Sequence, residues 1–408
     1  MEPRVALVPL ARVHYDMQLA EKVTRSFRTQ LIYRGLRVVG NSSLVTDLTG
    51  AQKAIEQLSG EDFDLLLILQ ATFADSTMVV ALAEAINKPL FIWSVPEERT
   101  GGRLRLSSLC GVNLAAHALT LHNKQYEYAY ASPDDIGAME HLKSVAVAAR
   151  VYQRLQSARV GVVGTAPAGM DSCFLDVGEL KTRLGIQIVP IELHTVFERV
   201  LQLQPEITQA VHARVERRVS EMDMLDQPQL QRSLGAYHVL REIAREEKLD
   251  AMAIRCWPEF FTDLQCSVCG ALSLLSDELI PSGCEADVNG TVTQLVLQWL
   301  SEEQACGCDI VSVDYERDSS VLWHCGQAPL SMADPSFRPK ASVHSNRQLP
   351  LTMEFPLKAG CITLARLSRA TGELRAPRDV ARLSRATSEE LMRTKRGPKT
   401  PRGTAKRQ

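Results

Sequence analysis

Asp64-Leu65-Leu66-Leu67-Ile68-Leu69-Gln70 decides the fold. A half-exposed strand alternates apolar and polar residues, whereas a run that is apolar at every position must be covered on both faces, as strands inside a parallel sheet are. The run is also far shorter than the ~20 apolar residues of a membrane span. On either side the same rhythm repeats. Residues 5–10 precede a helix-length segment at 17–34, residues 37–40 precede 50–59, residues 63–70 precede 76–86, and residues 89–95 follow. Short apolar runs alternating with helical segments predict a doubly wound parallel sheet.

Residues 100–135 have little strand character, and a helix is expected at 139–156. The alternation restarts at 159–164 and continues through a helix at 177–184, a strand at 186–193, a helical region at 206–247 and a strand at 251–256. Gln227-Pro228 should divide that helical region in two, because a residue before proline disfavours the helical conformation. The expected architecture is therefore two tandem doubly wound α/β domains, 1–157 and 158–335. Prolines 335, 339, 350 and 356 then mark a change of character, and Gly360-Cys361-Ile362-Thr363-Leu364 reads as one short strand. Residues 336–366 read as the start of a β-rich carboxyl-terminal segment that looks truncated. Residues 367–408 read as a basic tail, expected to be disordered. Ala365-Arg366-Leu367-Ser368-Arg369-Ala370-Thr371 recurs at 381–387.

The 408 residues are 45% hydrophobic and 23% charged, a globular composition. The start, Met1-Glu2-Pro3-Arg4, lacks the order of a signal peptide, so a cytoplasmic protein with no membrane partner is expected. The net charge of −2 conceals an asymmetry. Residues 361–408 carry 13 Lys or Arg against 4 acids, so residues 1–360 hold 33 against 44. An acidic body repels phosphate backbones, which argues against nucleic acid as the main partner. Ten cysteines in such a chain read as reduced thiols.

The turn after the strand at 159–164 fits neither GxGxxG nor GxxxxGK[ST], so no nucleotide site is expected. Cys266 and Cys269 have CxxC spacing and Cys306 and Cys308 supply two more thiols, yet core packing explains the first pair better than zinc. A stronger constellation lies between 254 and 324. Arg255-Cys256-Trp257-Pro258-Glu259 ends a strand, Cys284-Glu285-Ala286-Asp287 offers two acids, and Trp323-His324-Cys325-Gly326 ends an apolar run. Carboxylates plus an imidazole suit Mg²⁺ or Mn²⁺ better than a thiol-loving ion, and the acids can also move protons.

Ala71-Thr72-Phe73-Ala74-Asp75, Trp93-Ser94-Val95-Pro96-Glu97, Gly102-Arg103-Leu104-Arg105-Leu106, Cys110-Gly111-Val112-Asn113, Cys256-Trp257-Pro258-Glu259, Cys284-Glu285-Ala286-Asp287 and His324-Cys325-Gly326 together resemble the L-fucose/L-arabinose isomerase-like family over residues 4–366. The resemblance implies a Mn²⁺-dependent aldose–ketose isomerase, a homo-oligomer in carbohydrate metabolism, acting on a small sugar through a cis-enediol. It further implies Glu259 and Asp287 as catalytic acids and metal ligands, with Glu285 as the alternative to Asp287. Arg12 follows the first strand, where the family has a similar Arg-containing segment, and Gln70, Trp93 and Asn113 fall in or beside the family-like runs; all four are expected to meet the sugar, Arg12 from a neighbouring subunit as one alternative and Trp93 by stacking. Family members carry a further metal-binding histidine in the carboxyl-terminal domain. Here His324 is the expected substitute, since His344 sits in a Pro- and Ser-rich loop and should be exposed. If the metal site is incomplete, the alternative is a non-catalytic sugar-binding or oligomer-forming member of the fold.

Overall fold

The structure is a computed structural model that describes residues 2–40, 42–98, 101–173, 176–370, 373–375 and 382–383. It divides into two compact units, Met1–Gln156 and Ser157–Gln408.

In the first unit β1 (Arg4–Leu10), α1 (Met17–Tyr33), β2 (Arg37–Val39), α2 (Leu48–Ser59), β3 (Leu65–Gln70), α3 (Ser76–Ala85), β4 (Leu90–Ser94), α4 (Ser108–Leu121), β5 (Glu127–Tyr130) and α5 (Ile136–Leu155) alternate strictly. The sheet is wholly parallel in the order β2-β1-β3-β4-β5. The apolar run behaves as its composition requires. Leu65, Leu67 and Leu69 join the core on one face with Phe27, Phe91 and Trp93, while Leu66 and Ile68 join the opposite core with Met78, Leu82 and Ile92. Asp16, Asp47, Asp75 and Asp135 end the loops before α1, α2, α3 and α5, each accepting a backbone N–H of the first helical turn. Each such cap contributes about 1 kcal/mol.

Residues 100–135 were expected to have little strand character, and they hold one four-residue strand. They hold α4 and the edge strand β5, in which Ala129 alone is buried. An edge strand with one covered residue leaves almost no periodic signal.

The second unit has a parallel sheet in the order β7-β6-β8-β9, formed by β6 (Arg159–Val163), β7 (Gln187–Ile191), β8 (Ala251–Ile254) and β9 (Ser282–Gly283). Its helices are α6 (Val177–Leu184), α7 (Leu193–Leu201), α8 (Pro205–Glu216), α9 (Gln227–Glu246), α10 (Glu259–Thr262), α11 (Cys269–Asp277) and α12 (Val288–Ser301). The expected break in 206–247 separates α8 from α9, with Pro228 in the first turn of α9, where its missing N–H costs nothing. Helix α7 is an addition to the expected elements. Antiparallel pairs follow: β10 (Asp309–Asp314) with β11 (Ser319–Trp323), β12 (Lys340–Val343) with β13 (Pro350–Glu354), β14 (Ile362–Thr363) with β17 (Arg382–Leu383), and β15 (Ser368–Ala370) with β16 (Glu373–Arg375). Most of the expected disordered tail lies outside the described residues. No helix among the described residues is long and apolar enough to cross a membrane.

Candidate functional site

Strands β8 and β9 are parallel neighbours, paired Met252 to Ser282 and Ala253 to Gly283. Their following turns therefore leave the same carboxyl edge side by side, the edge at which open α/β sheets bind ligands. The first turn, Arg255-Cys256-Trp257-Pro258, leads into α10. The second, Cys284-Glu285-Ala286-Asp287, leads into α12. The Ala286 N–H donates to the Ile254 carbonyl at 3.0 Å and joins the two turns. Glu285 and Ala286 have φ of 58° and 51°, a left-handed conformation costing about 1–2 kcal/mol for each non-glycine residue. Strain of this kind is held where surrounding structure requires it, commonly at functional sites.

Glu259 opens α10, and Arg255 Nε donates to its Oε2 at 2.7 Å. That guanidinium hydrogen bond holds the Glu259 carboxyl below the usual carboxylate range. Asp287 caps α12, its Oδ1 accepting from the Gly290 N–H at 2.9 Å. Arg366 grips the same carboxylate with both guanidinium ends, Nη2 to Oδ1 at 3.1 Å and Nη1 to Oδ2. It also donates to the Ser172 carbonyl at 2.9 Å, and the Leu367 N–H donates to Thr293 Oγ1 at 2.8 Å. Glu285 is half-buried and accepts from Trp257 Nε1 at 3.3 Å. Burial, assisted by Asp309 and Asp287, pushes its carboxyl up. His324, half-buried after β11, is pulled down by burial, but Cys325, Asp309 and Glu285 outweigh that and leave it raised.

The expected ligands are thus brought to one region without converging on a point. Among the described residues, Glu259, Asp287 and His324 do not bring their ligand atoms within 4.8 Å of one another. Two carboxylates and an imidazole nevertheless form a donor set suited to a hard divalent cation. The demand of each carboxylate for positive charge is met here by the guanidinium groups of Arg255 and Arg366.

The first unit carries a cleft of roughly 600 Å³ lined by Arg12, His14, Tyr15, Phe73, Arg103 and Ser107. These residues follow β1, β3 and β4 at the carboxyl edge of the sheet, where strand order reverses between β1 and β3. Arg12 pairs with Asp75 and donates to the Thr46 carbonyl at 3.2 Å. Arg105 pairs with Asp16 at 2.6 Å, and the Glu97 carboxylate accepts three backbone N–H groups from residues 105–107, which fixes the loop.

Of the four expected sugar contacts, Arg12 alone lines this cleft. Trp93 corrects its expectation. Its side chain is fully buried against Phe27 and Phe91, with Nε1 donating to the Ala131 carbonyl at 2.9 Å, so no face is open for stacking. Gln70 is likewise fully buried, beneath Gly111 of α4. Asn113 is exposed on α4, outside the cleft lining.

The thiols form a grouping that the CxxC spacing did not reveal. Cys266 does enter the core, but Cys269 turns to Cys325, with sulfurs 3.4 Å apart. Cys256 and Cys284 from the two acid-bearing turns have sulfurs 2.7 Å apart. Cys306 is half-buried, its thiol pushed up to about 12 by burial, and Cys308 is exposed. Hydrogen bonds from the Cys269 and Cys284 thiols, and then from His324, hold the Cys325 thiol far below its ordinary range. His344 also departs from expectation. It is half-buried, edge-on to the Phe261 ring at 5.2 Å, and beside Cys269 and Cys325.

Comparison with known proteins gives this arrangement a context. A family model described as the N-terminal domain of fucose/sulfoquinovose isomerase matches residues 6–156. A sulfoquinovose isomerase of Priestia aryabhattai is 32% identical over 365 residues, covering 89% of this chain and 82% of the relative. One of Alkalicoccus urumqiensis is 31% identical over 364 residues, with the same two coverages of 89% and 82%. Another, of Clostridium sp. (strain MSTE9), is 28% identical over 293 residues, 71% of this chain and 66% of the relative. At that identity and coverage, the chain belongs to the fucose/sulfoquinovose isomerase family and is an isomerase that interconverts aldoses and ketoses.

Proposed function

We propose that the chain isomerises a sulfonated aldose of the sulfoquinovose type through a cis-enediol, using the two acid-bearing turns after β8 and β9. The observation that carries this reading is the parallel pairing of those strands, which sets Glu259 and the pair Glu285 and Asp287 in adjacent turns at one sheet edge. Glu259, kept ionised by Arg255, has the charge state of a base that takes the C2 proton of the open-chain sugar and returns it at C1. Asp287 serves the hydroxyl groups at C1 and C2, and Glu285, with its raised proton affinity, is placed to lend a proton there.

Glu259, Asp287 and His324 are the residues that would hold Mn²⁺ or another hard divalent ion. Such an ion supplies positive charge beside the sugar oxygens while the enediol forms. The first unit by itself carries a cleft whose Arg12, His14 and Arg103 lining suits an anionic group. The reading includes a homo-oligomer working in the cytoplasm.

The test is isomerase turnover on sulfoquinovose, fucose and arabinose, with and without added Mn²⁺, alongside Glu259→Gln and Asp287→Asn. Turnover on the sulfonated sugar that both substitutions abolish is expected. Wild-type-like rates in either variant would remove the assigned acids, and light scattering at a monomer mass would remove the oligomer.

A further inference from the structure

We propose that Cys269, Cys325 and His344 form a binding site for a soft divalent cation of zinc type, separate from the carboxylate donors of the isomerase reading. The three residues come from distant parts of the second unit. Cys269 opens α11, Cys325 follows β11, and His344 follows β12. One ligand atom each from Cys269, Cys325 and His344 lies within 4.8 Å of the others. The Cys269 and Cys325 sulfurs are 3.4 Å apart. Around a tetrahedral zinc ion with bonds of about 2.3 Å, neighbouring sulfurs stand about 3.8 Å apart. The 3.4 Å separation is close to that spacing, so modest side-chain rotation closes the three on one ion and leaves its fourth position to water.

One feature separates this cluster from ordinary core cysteines. Buried cysteines acting as small hydrophobes need no imidazole among them. Here the His344 ring is held by the edge of Phe261, and the Asn346 N–H donates to its Nδ1 at 3.3 Å. The neutral ring therefore has its lone pair at Nδ1 and its proton at Nε2, and binding an ion to the ring replaces this hydrogen bond. The ligand chemistry decides the ion. Two thiolates and an imidazole select zinc over manganese or magnesium, which prefer oxygen. The thiols lose their protons as the ion binds, so loading releases protons. A zinc ion here ties α11 to the loops after β11 and β12.

The test reads metal rather than catalysis, so it stands whatever becomes of the isomerase reading. The full chain is purified without chelators and its zinc measured by plasma mass spectrometry. It is then stripped and reloaded with Co²⁺, and the sulfur-to-cobalt charge-transfer and tetrahedral d–d bands are recorded. About one zinc per chain and a thiolate cobalt spectrum are expected, as for a site of three protein ligands and one water. Cys325→Ser and His344→Ala should lose the ion, whereas Glu259→Gln and Asp287→Asn should keep it. Wild-type protein that holds no zinc and gives no thiolate band overturns the proposal even if a cysteine variant fails to fold. A Cys269–Cys325 disulfide found by peptide mapping in place of the metal also overturns it.

Discussion

Replacing Arg366 with alanine should tighten divalent-cation binding at Asp287. The Arg366 guanidinium bonds both Asp287 oxygens, so a cation that takes this carboxylate must first displace it. A sheltered charge-assisted hydrogen bond is worth about 1.5–3 kcal/mol. Here the Arg366 side chain is 40% exposed and that of Asp287 16%, so screening reduces the pair to about 1 kcal/mol. Relief of that competition lowers the Mn²⁺ dissociation constant by roughly fivefold. The cap on α12 survives in the variant, because Asp287 Oδ1 keeps the Gly290 N–H at 2.9 Å. Isothermal titration of wild type, Arg366→Ala and Arg366→Lys with MnCl₂ gives the answer, checked by the electron paramagnetic resonance of free Mn²⁺. The lysine variant, which retains charge but not the two-pronged grip, should fall between the others. An Arg366→Ala affinity equal to or weaker than wild type would refute the competition.

Other outcomes follow from the same geometry. Arg255 lowers the Glu259 carboxyl, so Arg255→Met should raise it; since Glu259 must be ionised to act, the acid limb of the kcat/KM profile should move to higher pH, and an unmoved or lowered limb counts against Glu259 as the base. A Cβ added at Gly283 would overlap Thr291 Oγ1, which donates to the Asp287 carbonyl at 2.7 Å. Gly283→Ala should therefore cost about 2 kcal/mol of stability, or roughly 4–8 °C in Tm for a unit of this size, measured by calorimetry. Arg103→Ala should weaken the binding of inorganic sulfate to the first unit's cleft, read by isothermal titration; unchanged binding would remove the anion-binding role of the cleft.

The parallel sheets were legible because β3 is apolar on both faces, a pattern that depends on the chain alone. Strand β5 was not legible, because one residue in four is covered and the signal comes from its neighbour in space. Helix α7 buries Val196, Phe197 and Val200 at helical spacing, but it is only nine residues long and starts two residues after β7, in a stretch to which no expected element was assigned. The acids were found from their place after apolar runs and from family-like motifs. Arg366 stood 79 residues from its partner in a repeat whose basic character suggested a tail. Trp93 and Gln70 were misassigned because a family-like run says which residues are retained, not whether the reason is contact with ligand or packing. The CxxC spacing pointed to Cys266, whereas the actual thiol contacts span 28 and 56 residues.

Strand β9 holds its place through two ladder pairs, Met252 with Ser282 and Ala253 with Gly283. A one-residue slip there would carry the second turn about 3.3 Å along the sheet and send its side chains to the opposite face. Insertion scanning should therefore find a dead zone between Ile280 and Asp287, where a single added codon abolishes turnover. The exposed bend of the β10–β11 hairpin should accept several codons unharmed.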